Sequence, residues 1–362
     1  MDFFPSRTLA IYVAKMFIIR TLAVLALLVL VLQALDLLGE SGKILAYEGN
    51  GEAELWTYVS LRAPQLVSRF LPFSVLLGTI ITLATLNQNS EVVSMKAAGL
   101  SAHQILAPLI VASMGIALLS FLFNETIVAP ATARLSQWEK VEFGPIPAES
   151  NIRTNVWVKD GNNLINARTV TGRGEQVMLQ DITIYDRSEN GLKNLLQADA
   201  GRFTGSGWLL TGVTQFDVST GTEEKKSELL VGDSIRPDQF TLTNVSADSL
   251  SIFALRTAIG ELQRAGRPTM SLKAGWWHKI SGPMSSILMP LLGAVAAFGL
   301  ARSGQLFLRA VIGMALGFAY FVADNFALAM GNIGAYPALL AAWAPFLLFF
   351  LIGETVLIRT EE

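Results

Sequence analysis

Few side chains in this chain can do chemistry, and their placement narrows what that chemistry is. There are two histidines, His103 and His278, and no cysteine. Thiol catalysis and thiolate metal sites are therefore ruled out. The histidines fall on opposite sides of the apolar segments, so they cannot share a metal. No G-x-x-x-x-G-K-S/T phosphate loop is present, which excludes nucleotide hydrolysis by that route. No Ser/His/Asp set stands out by position. A net charge of −2 gives no bulk attraction for nucleic acid. The residues thus point away from catalysis on this chain.

The segment richest in signals is Asn89-Ser90-Glu91-Val92-Val93-Ser94-Met95-Lys96-Ala97-Ala98-Gly99-Leu100-Ser101. Asn89 or Ser90 can cap a helix start, and Glu91 suits the positive end of the helix dipole. Gly99 can take the left-handed position that ends the helix. Ser101 with Gln104 makes a capping box for the next apolar span. A separate helix of about two turns results, with Glu91 and Met95 one turn apart. It reads either as a tight interfacial connector with solvated charges or as a coupling helix that a partner grips and pushes.

Asp324 is the second candidate, an ionisable residue inside an apolar span and so a functional hypothesis by default. Asn325 beside it, with Gly313 and Gly317 earlier in the span, makes that helix adaptable. Asp324 lies about 21 Å along from Ala310 at 1.5 Å per residue, so an interfacial structural role competes with a substrate or gating role. Basic residues near the outer helix ends, Lys43, Arg62, Arg69, Arg134 and Lys279, could meet a phosphorylated headgroup; ordinary snorkelling explains each one singly. Pro72, Pro108, Pro283, Pro290 and Pro345 lie within spans, where kinks leave room between helices.

These residues are carried by an integral membrane architecture. Hydrophobic residues make up 52% of the chain and charged ones 15%. The charges are pushed out of six windows: Met16 to Leu35, Phe70 to Leu86, Ile105 to Phe123, Ile280 to Ala301, Ala310 to Met330 and Tyr336 to Gly353. A bilayer core needs about 20 apolar residues per helix. The first window is longer than an ordinary signal-peptide core and no small-residue cleavage site comes closely after it, so it reads as an uncleaved anchor. Arg7, Lys15, Arg20, Lys96, Arg302, Arg309 and Arg359 all fall on one side of a six-span layout, which makes that side cytoplasmic. Arg264, Arg267, Lys273 and Lys279 run against this, but they flank a long domain, where the rule is weak. Both termini are expected inside.

A polar block separates the two trios of spans. Val156-Trp157-Val158, Leu164-Ile165-Asn166-Ala167, Val177-Met178-Leu179 and Ile182-Thr183-Ile184-Tyr185 are short β-prone runs. Asp160-Gly161-Asn162-Asn163, Gly172-Arg173-Gly174, Ser188-Glu189-Asn190-Gly191 and Gly205-Ser206-Gly207 punctuate them. That rhythm predicts an all-β sandwich or jelly roll. Without cysteine it must be held by its own core. Thr257 to Ala265, with Ile259 and Leu262 at helical spacing, reads as a helix returning the chain to the membrane, stopped at Gly266 and Pro268. Trp276 and Trp277 then suit an interface. The expected fold is a membrane α-helical protein of six transmembrane helices with an inserted all-β, jelly-roll-like domain. Its parts are residues 1–129 with the short helix at about 90–99, residues 130–265, and residues 266–362.

Taken together and in order, these features resemble the lipopolysaccharide-export permease family (LptF/LptG) over essentially the whole length. The specific match is Ser90-Glu91-Val92-Val93-Ser94-Met95-Lys96-Ala97-Ala98-Gly99, which is similar to the family's coupling-helix motif. Val128-Ala129-Pro130, Leu250-Ser251-Ile252, Trp277 and Lys279 with Pro283, and Gly317-Phe318 with Asp324 support it; the first of these tilts it to the LptG branch.

The resemblance implies a permease subunit of the bacterial inner membrane with its central domain in the periplasm. It pairs with an LptF-like subunit and binds an LptB-like ATPase dimer, which would hold the ATP and Mg. Lipopolysaccharide would be extracted among membrane lipids and passed to the periplasmic β domains with an LptC-like component; this chain would carry no cofactor and do no catalysis. Glu91, Val92, Met95, Lys96 and Gly99 would form the ATPase contact, with Glu91 as polar anchor, Met95 packed beside it and Gly99 ending the helix. Phe70 and Leu71 would face acyl chains. The family often has a basic residue near the outer end of span one; here Gln33 stands there, with Asp36 and Glu40 nearby. Headgroup contact would then fall to Arg62, Arg69 or Arg134, or the substrate would be less phosphorylated. Two competing readings are a non-transporting scaffold whose β domain docks partners, and a secondary transporter, which would need more ionisable residues within spans than Asp324.

Overall fold

A computed structural model describes residues 6–145, 153–160, 162–172, 176–188, 191–205, 207–231, 235–237, 240, 246–264, 267–295, 297 and 306–359. Gly161, Arg173, Gly174, Glu189, Asn190, Ser206, Ala265, Gly266 and Arg302 lie outside them. The chain forms two compact units. One comprises Met1–Gly144, Ala247–Leu255 and Met270–Glu362, and the other Pro145–Ser246 and Arg256–Thr269.

The first unit is helical. Its elements are α1 (Arg7–Ala46), α2 (Glu52–Gln88), α3 (Glu91–Ala97), α4 (Ala102–Phe123), a π turn (Asn124–Val128), α5 (Ala129–Lys140), α7 (Met270–Ala294), α8 (Leu306–Asn332) and α9 (Ala338–Arg359). Helix α6 (Ile252–Arg264) begins in this unit and continues in the other. Among the described residues five helices are long and apolar enough to cross a membrane: Arg7–Ala46, Glu52–Gln88, Ala102–Lys140, Val311–Asn332 and Ala338–Arg359.

Helix α7 carries the start of the fourth span expected from sequence. It packs against α2, α4, α8 and α9. Its buried residues include Ser281, Pro283, Ser285, Ser286, Pro290, Gly293 and Ala294 beside Leu288, Met289, Leu291 and Leu292. A helix surrounded by other helices gains from small side chains that let backbones approach, and needs few that dissolve in lipid. Residues 296 and 298–301 of that span lie outside the described residues.

Close approach is also how α1 seats on α2. A Cβ at Gly78 would lie 3.0 Å from the Cα of Thr21, so only a hydrogen fits. Gly317, expected to make its helix adaptable, instead makes room for the Leu76 side chain.

The second unit is a six-stranded antiparallel meander of β1 (Arg153–Asp160), β2 (Asn163–Thr171), β3 (Met178–Ser188), β4 (Gly191–Phe203), β5 (Trp208–Asp217) and β6 (Thr222–Val231). Each strand pairs with its neighbour in sequence, so the expected inserted all-β domain is present. One core holds it, with Trp208, Phe240, Val170, Val177, Leu179 and Leu210 each at most 2% exposed. The Trp208 indole N–H donates to the Ile235 carbonyl at 2.9 Å, so its polar atom is satisfied inside the core.

The strands do not alternate strictly. Buried neighbours on β2 to β5 are three apart at one level: Ala167 and Val170, Leu179 and Ile182, Ala198 and Gly201, Leu210 and Val213. The ladder skips one aligned row there, Asn155, Arg168, Asp181, Asp199, Gly212 and Ser227. Asp181 takes a left-handed φ of 49°. The register is the same on either side of that row, so every strand inserts its extra residue at one level and one face stays on the core.

Gly78→Val is expected to lower the stability of the detergent-solubilised chain by about 1–3 kcal/mol through overpacking. Gly39→Val, where nothing lies within 4 Å of a new Cβ, should leave the thermal midpoint unchanged or raise it. Equal midpoints for the two variants would remove the close-packing argument.

Candidate functional site

The short helix α3 sits where the loop signals place it. Gly99 has φ +86°, its N–H donates to the Lys96 carbonyl at 2.9 Å, and the Leu100 N–H donates to the Met95 carbonyl at 3.1 Å. That double bond pattern is a Schellman stop, which the left-handed glycine permits. The Ser101–Gln104 capping box is formed in both directions, at 3.2 and 3.1 Å. The start differs from expectation. Ser90 holds a left-handed φ of 59° and makes no side-chain cap, because the chain reverses there within two residues of α2. Asn89 instead donates to Glu91 at 3.3 Å, as does the Tyr12 hydroxyl at 3.4 Å.

The faces of α3 are unequal. Val92 and Met95 are 5% and 7% exposed and join the bundle core. Val93, Ser94, Lys96 and Ala97 are exposed, and Glu91 is half-buried at the edge. Glu91 and Met95 are one turn apart, yet Met95 is spent on holding α3 against α2 and α4. The surface offered outward is charged and small, with Val93 as its exposed apolar residue.

Two recesses open elsewhere in the helical unit. The first, about 720 Å³, is lined by Asp36, Glu40, Lys43, Tyr58, Arg62, Glu139 and Glu142 among others. Tyr58 and Arg62 are four apart on α2 and so share a face. Both reach Asp36 on α1. The Tyr58 hydroxyl donates at 2.6 Å, and Arg62 donates from Nε and Nη2 at 3.0 and 2.9 Å to the two carboxylate oxygens. This is a planar two-point ion pair. Arg62 Nη1 also donates to Gln65 at 2.8 Å.

The second recess, about 340 Å³, lies among α2, the π turn, α7 and α8. Its polar lining includes Arg69, Asn124, His278, Lys279, Asp324 and Asn325, and its apolar wall includes Pro72, Phe73, Pro283, Tyr320 and Phe321. Phe73 and Phe321 meet edge to face with centroids 5.4 Å apart. Asp324 is held by His278 Nε2 at 3.0 Å, and Lys279 Nζ donates to Glu125 at 3.1 Å. A concave site with an apolar wall and convergent polar groups suits a ligand that is itself amphipathic.

The other sequence candidates are spread through the helical unit. Phe70 and Leu71 are half-buried, and Phe73 rather than either of them is on the recess wall. Gln33 is 9% exposed, and both its amide atoms lack a partner among the described residues. Of the five outer cations, Lys43, Arg62 and Lys279 are paired with Glu40, Asp36 and Glu125. Arg69 and Arg134 are exposed and have no carboxylate partner among the described residues.

Sequence reasoning missed Glu125, Tyr58 and the His103–Glu354 contact at 3.2 Å between α4 and α9. A carboxylate beside the uncharged third span, just ahead of Val128-Ala129-Pro130, was the available hint for Glu125.

Asp36→Asn is expected to destabilise the folded chain by about 2 kcal/mol, since it removes the charge that satisfies Arg62. Asp36→Asn with Arg62→Leu should cost less than the two single changes summed. Additive losses in thermal unfolding would show that the pair contributes no coupling.

Residues 11–359 match the profile of a family described as "Lipopolysaccharide export system permease LptF/LptG". The chain is 27% identical over 348 residues to the lipopolysaccharide export system permease protein LptG of Escherichia coli (strain K12), covering 94% of each. It is 26% identical over 329 residues to LptG of Haemophilus influenzae, covering 87% of this chain and 89% of that protein. The profile spans both helical trios and the inserted sheet, and with it the short helix and the two recesses: the chain belongs to the LptF/LptG family of lipopolysaccharide export system permeases.

Proposed function

We propose that this chain is the LptG-like transmembrane half of an ATP-driven exporter that extracts lipopolysaccharide from the outer leaflet of the inner membrane and passes it to a periplasmic bridge. Its partners on this reading are an LptF-like permease, an LptB-like ATPase dimer that binds the ATP and Mg, and an LptC-like component. Both termini lie in the cytoplasm and the sheet unit lies in the periplasm.

The observation that carries the proposal is the construction of α3. It is stopped by Gly99, anchored through Val92 and Met95 in the core between α2 and α4, and turned outward on a face bearing Glu91 and Lys96. A helix built this way transmits a push instead of absorbing it, because the anchoring side chains are close-packed. The chain is a permease subunit and the energy source is a separate protein. Glu91, half-buried and held by Asn89 and Tyr12, is the polar anchor for that protein, with Lys96 beside it.

Headgroup contact falls to Arg69 and Arg134. The carboxylates on Arg62, Lys43 and Lys279 must be displaced before those cations can serve a phosphate, whereas Arg69 and Arg134 have no such partner among the described residues. Asp324 acts through His278 to shape the recess wall, and Phe70 and Leu71 contribute apolar surface.

Reconstitution of the chain with its permease partner and ATPase in liposomes tests this. Glu91→Lys should abolish ATP-dependent release of lipopolysaccharide, and full release by that variant rejects the coupling role. Arg69→Glu with Arg134→Glu should lower lipid crosslinking several-fold at unchanged ATPase binding. Undiminished crosslinking removes the headgroup assignment.

A further inference from the structure

Glu125 lies in the π turn between α4 and α5 and bonds to two other helices. One carboxylate oxygen accepts from Lys279 Nζ on α7 at 3.1 Å, and the other accepts from the Ile252 amide at 2.5 Å. The pair is nearly covered, with 12% of the Lys279 side chain and 13% of the Glu125 side chain exposed.

Ile252 is the first residue of α6. The Ser251 hydroxyl accepts from the Ala254 amide at 3.3 Å, and the Ser251 carbonyl accepts from the Leu255 amide at 2.8 Å. Ser251 is therefore the N-cap, and the Ile252 amide is one of the donors that a helix start leaves without an internal partner. Glu125 supplies the acceptor from another element, and its charge meets the positive end of the α6 dipole. One side chain thus fastens three helices, and α6 is the element by which the chain returns from the sheet unit.

The opposite end of the same lever is α3. Helix α4 starts at Ala102, packs beside α3 and runs 22 residues to the π turn, a rod of about 33 Å. A π turn holds one more residue per turn than its neighbours need. Its loss would slide α5 by one residue against α4 and carry Glu125 off both partners.

We infer that Glu125 is a positioning residue of the transport cycle: with the π turn as hinge, it converts displacement of α4 into displacement of the α6 N-terminus. This rests on α3 being the ATPase contact. The bond that matters is the one to Ile252, and the Lys279 pair holds the carboxylate in place to make it.

The test uses the reconstituted full complex and reads lipopolysaccharide released per ATP hydrolysed. Ile252→Pro removes the donor without breaking the helix start, because proline suits the first position of a helix, and leaves the Lys279 pair intact. It should keep ATP hydrolysis and lower the release ratio by roughly tenfold, the scale of one charge-assisted hydrogen bond. Ile252→Ala, which keeps the amide, should match wild type. Glu125→Ala should fall at least as far as Ile252→Pro. Glu125→Lys with Lys279→Glu restores an ion pair but offers Ile252 no acceptor, and should stay uncoupled. An unchanged ratio in Ile252→Pro, a parallel fall of hydrolysis and release, or full recovery in the swapped pair would each overturn the inference. Glu91→Lys in the same assay separates the two ideas. Unaltered release there defeats the α3 reading, whereas lost release there with a normal ratio in Ile252→Pro defeats only the Glu125 joint.

Discussion

The seating of α7 among α2, α4, α8 and α9 constrains the rest of the helical unit. Four neighbours leave it almost no lipid-facing surface at its buried end, so Ser, Gly, Pro and Ala occupy positions where a peripheral helix would carry Leu. The Gly293 position, where a Cβ would lie 2.8 Å from the Thr79 methyl, shows how tightly α2 approaches. Near the other end, His278 and Lys279 are consecutive and point about 100° apart around the helix. One reaches Asp324 on α8 and the other reaches Glu125 in the π turn. Apolar packing at one end and charge pairing at the other thus fix α7 against separate partners.

The same separation explains why the second recess exists. Pro72 and Pro283 lie within α2 and α7 and line it, and a proline inside a helix opens the backbone and bends it. The gap so made is bounded by aromatic rings on one side and by charged pairs on the other. Pairing keeps those charges tolerable in a region of low dielectric, where an isolated ion would cost several kcal/mol. Gln33 is the contrast. It is buried, with no partner for its amide among the described residues, and an orphaned amide of that kind costs roughly 1–3 kcal/mol.

Legibility in the sequence depends on the range of each interaction. The Gly99 stop and the Ser101–Gln104 box are bonds between residues five or fewer apart, and local residue types specify them. The spans and the inserted sheet are written in long runs of polarity. The Glu125–Lys279 pair joins residues 154 positions apart, and no period or spacing announces such a contact. The Asp36–Arg62 pair is hidden for another reason. By sequence Arg62 is one cation among several and Asp36 a local charge, although they stand opposite one another on α1 and α2. The skipped row breaks the two-residue alternation at Arg168, Asp181 and Asp199, and a single sequence does not tell such a break from the end of a strand.

Cation number alone therefore says little about where an anionic headgroup binds. Arg62 is bound at two points by Asp36, which also takes the Tyr58 hydroxyl. An incoming phosphate that takes Arg62 must replace both of its bonds to Asp36 and leave that carboxylate with the Tyr58 hydroxyl alone. Lys279 is still harder to recruit, because losing it leaves Glu125 charged against a single amide. Arg69 and Arg134 have no carboxylate to exchange among the described residues. Which of these cations stand paired with a carboxylate among the described residues is set by Asp36, Glu40 and Glu125 as much as by the basic residues themselves.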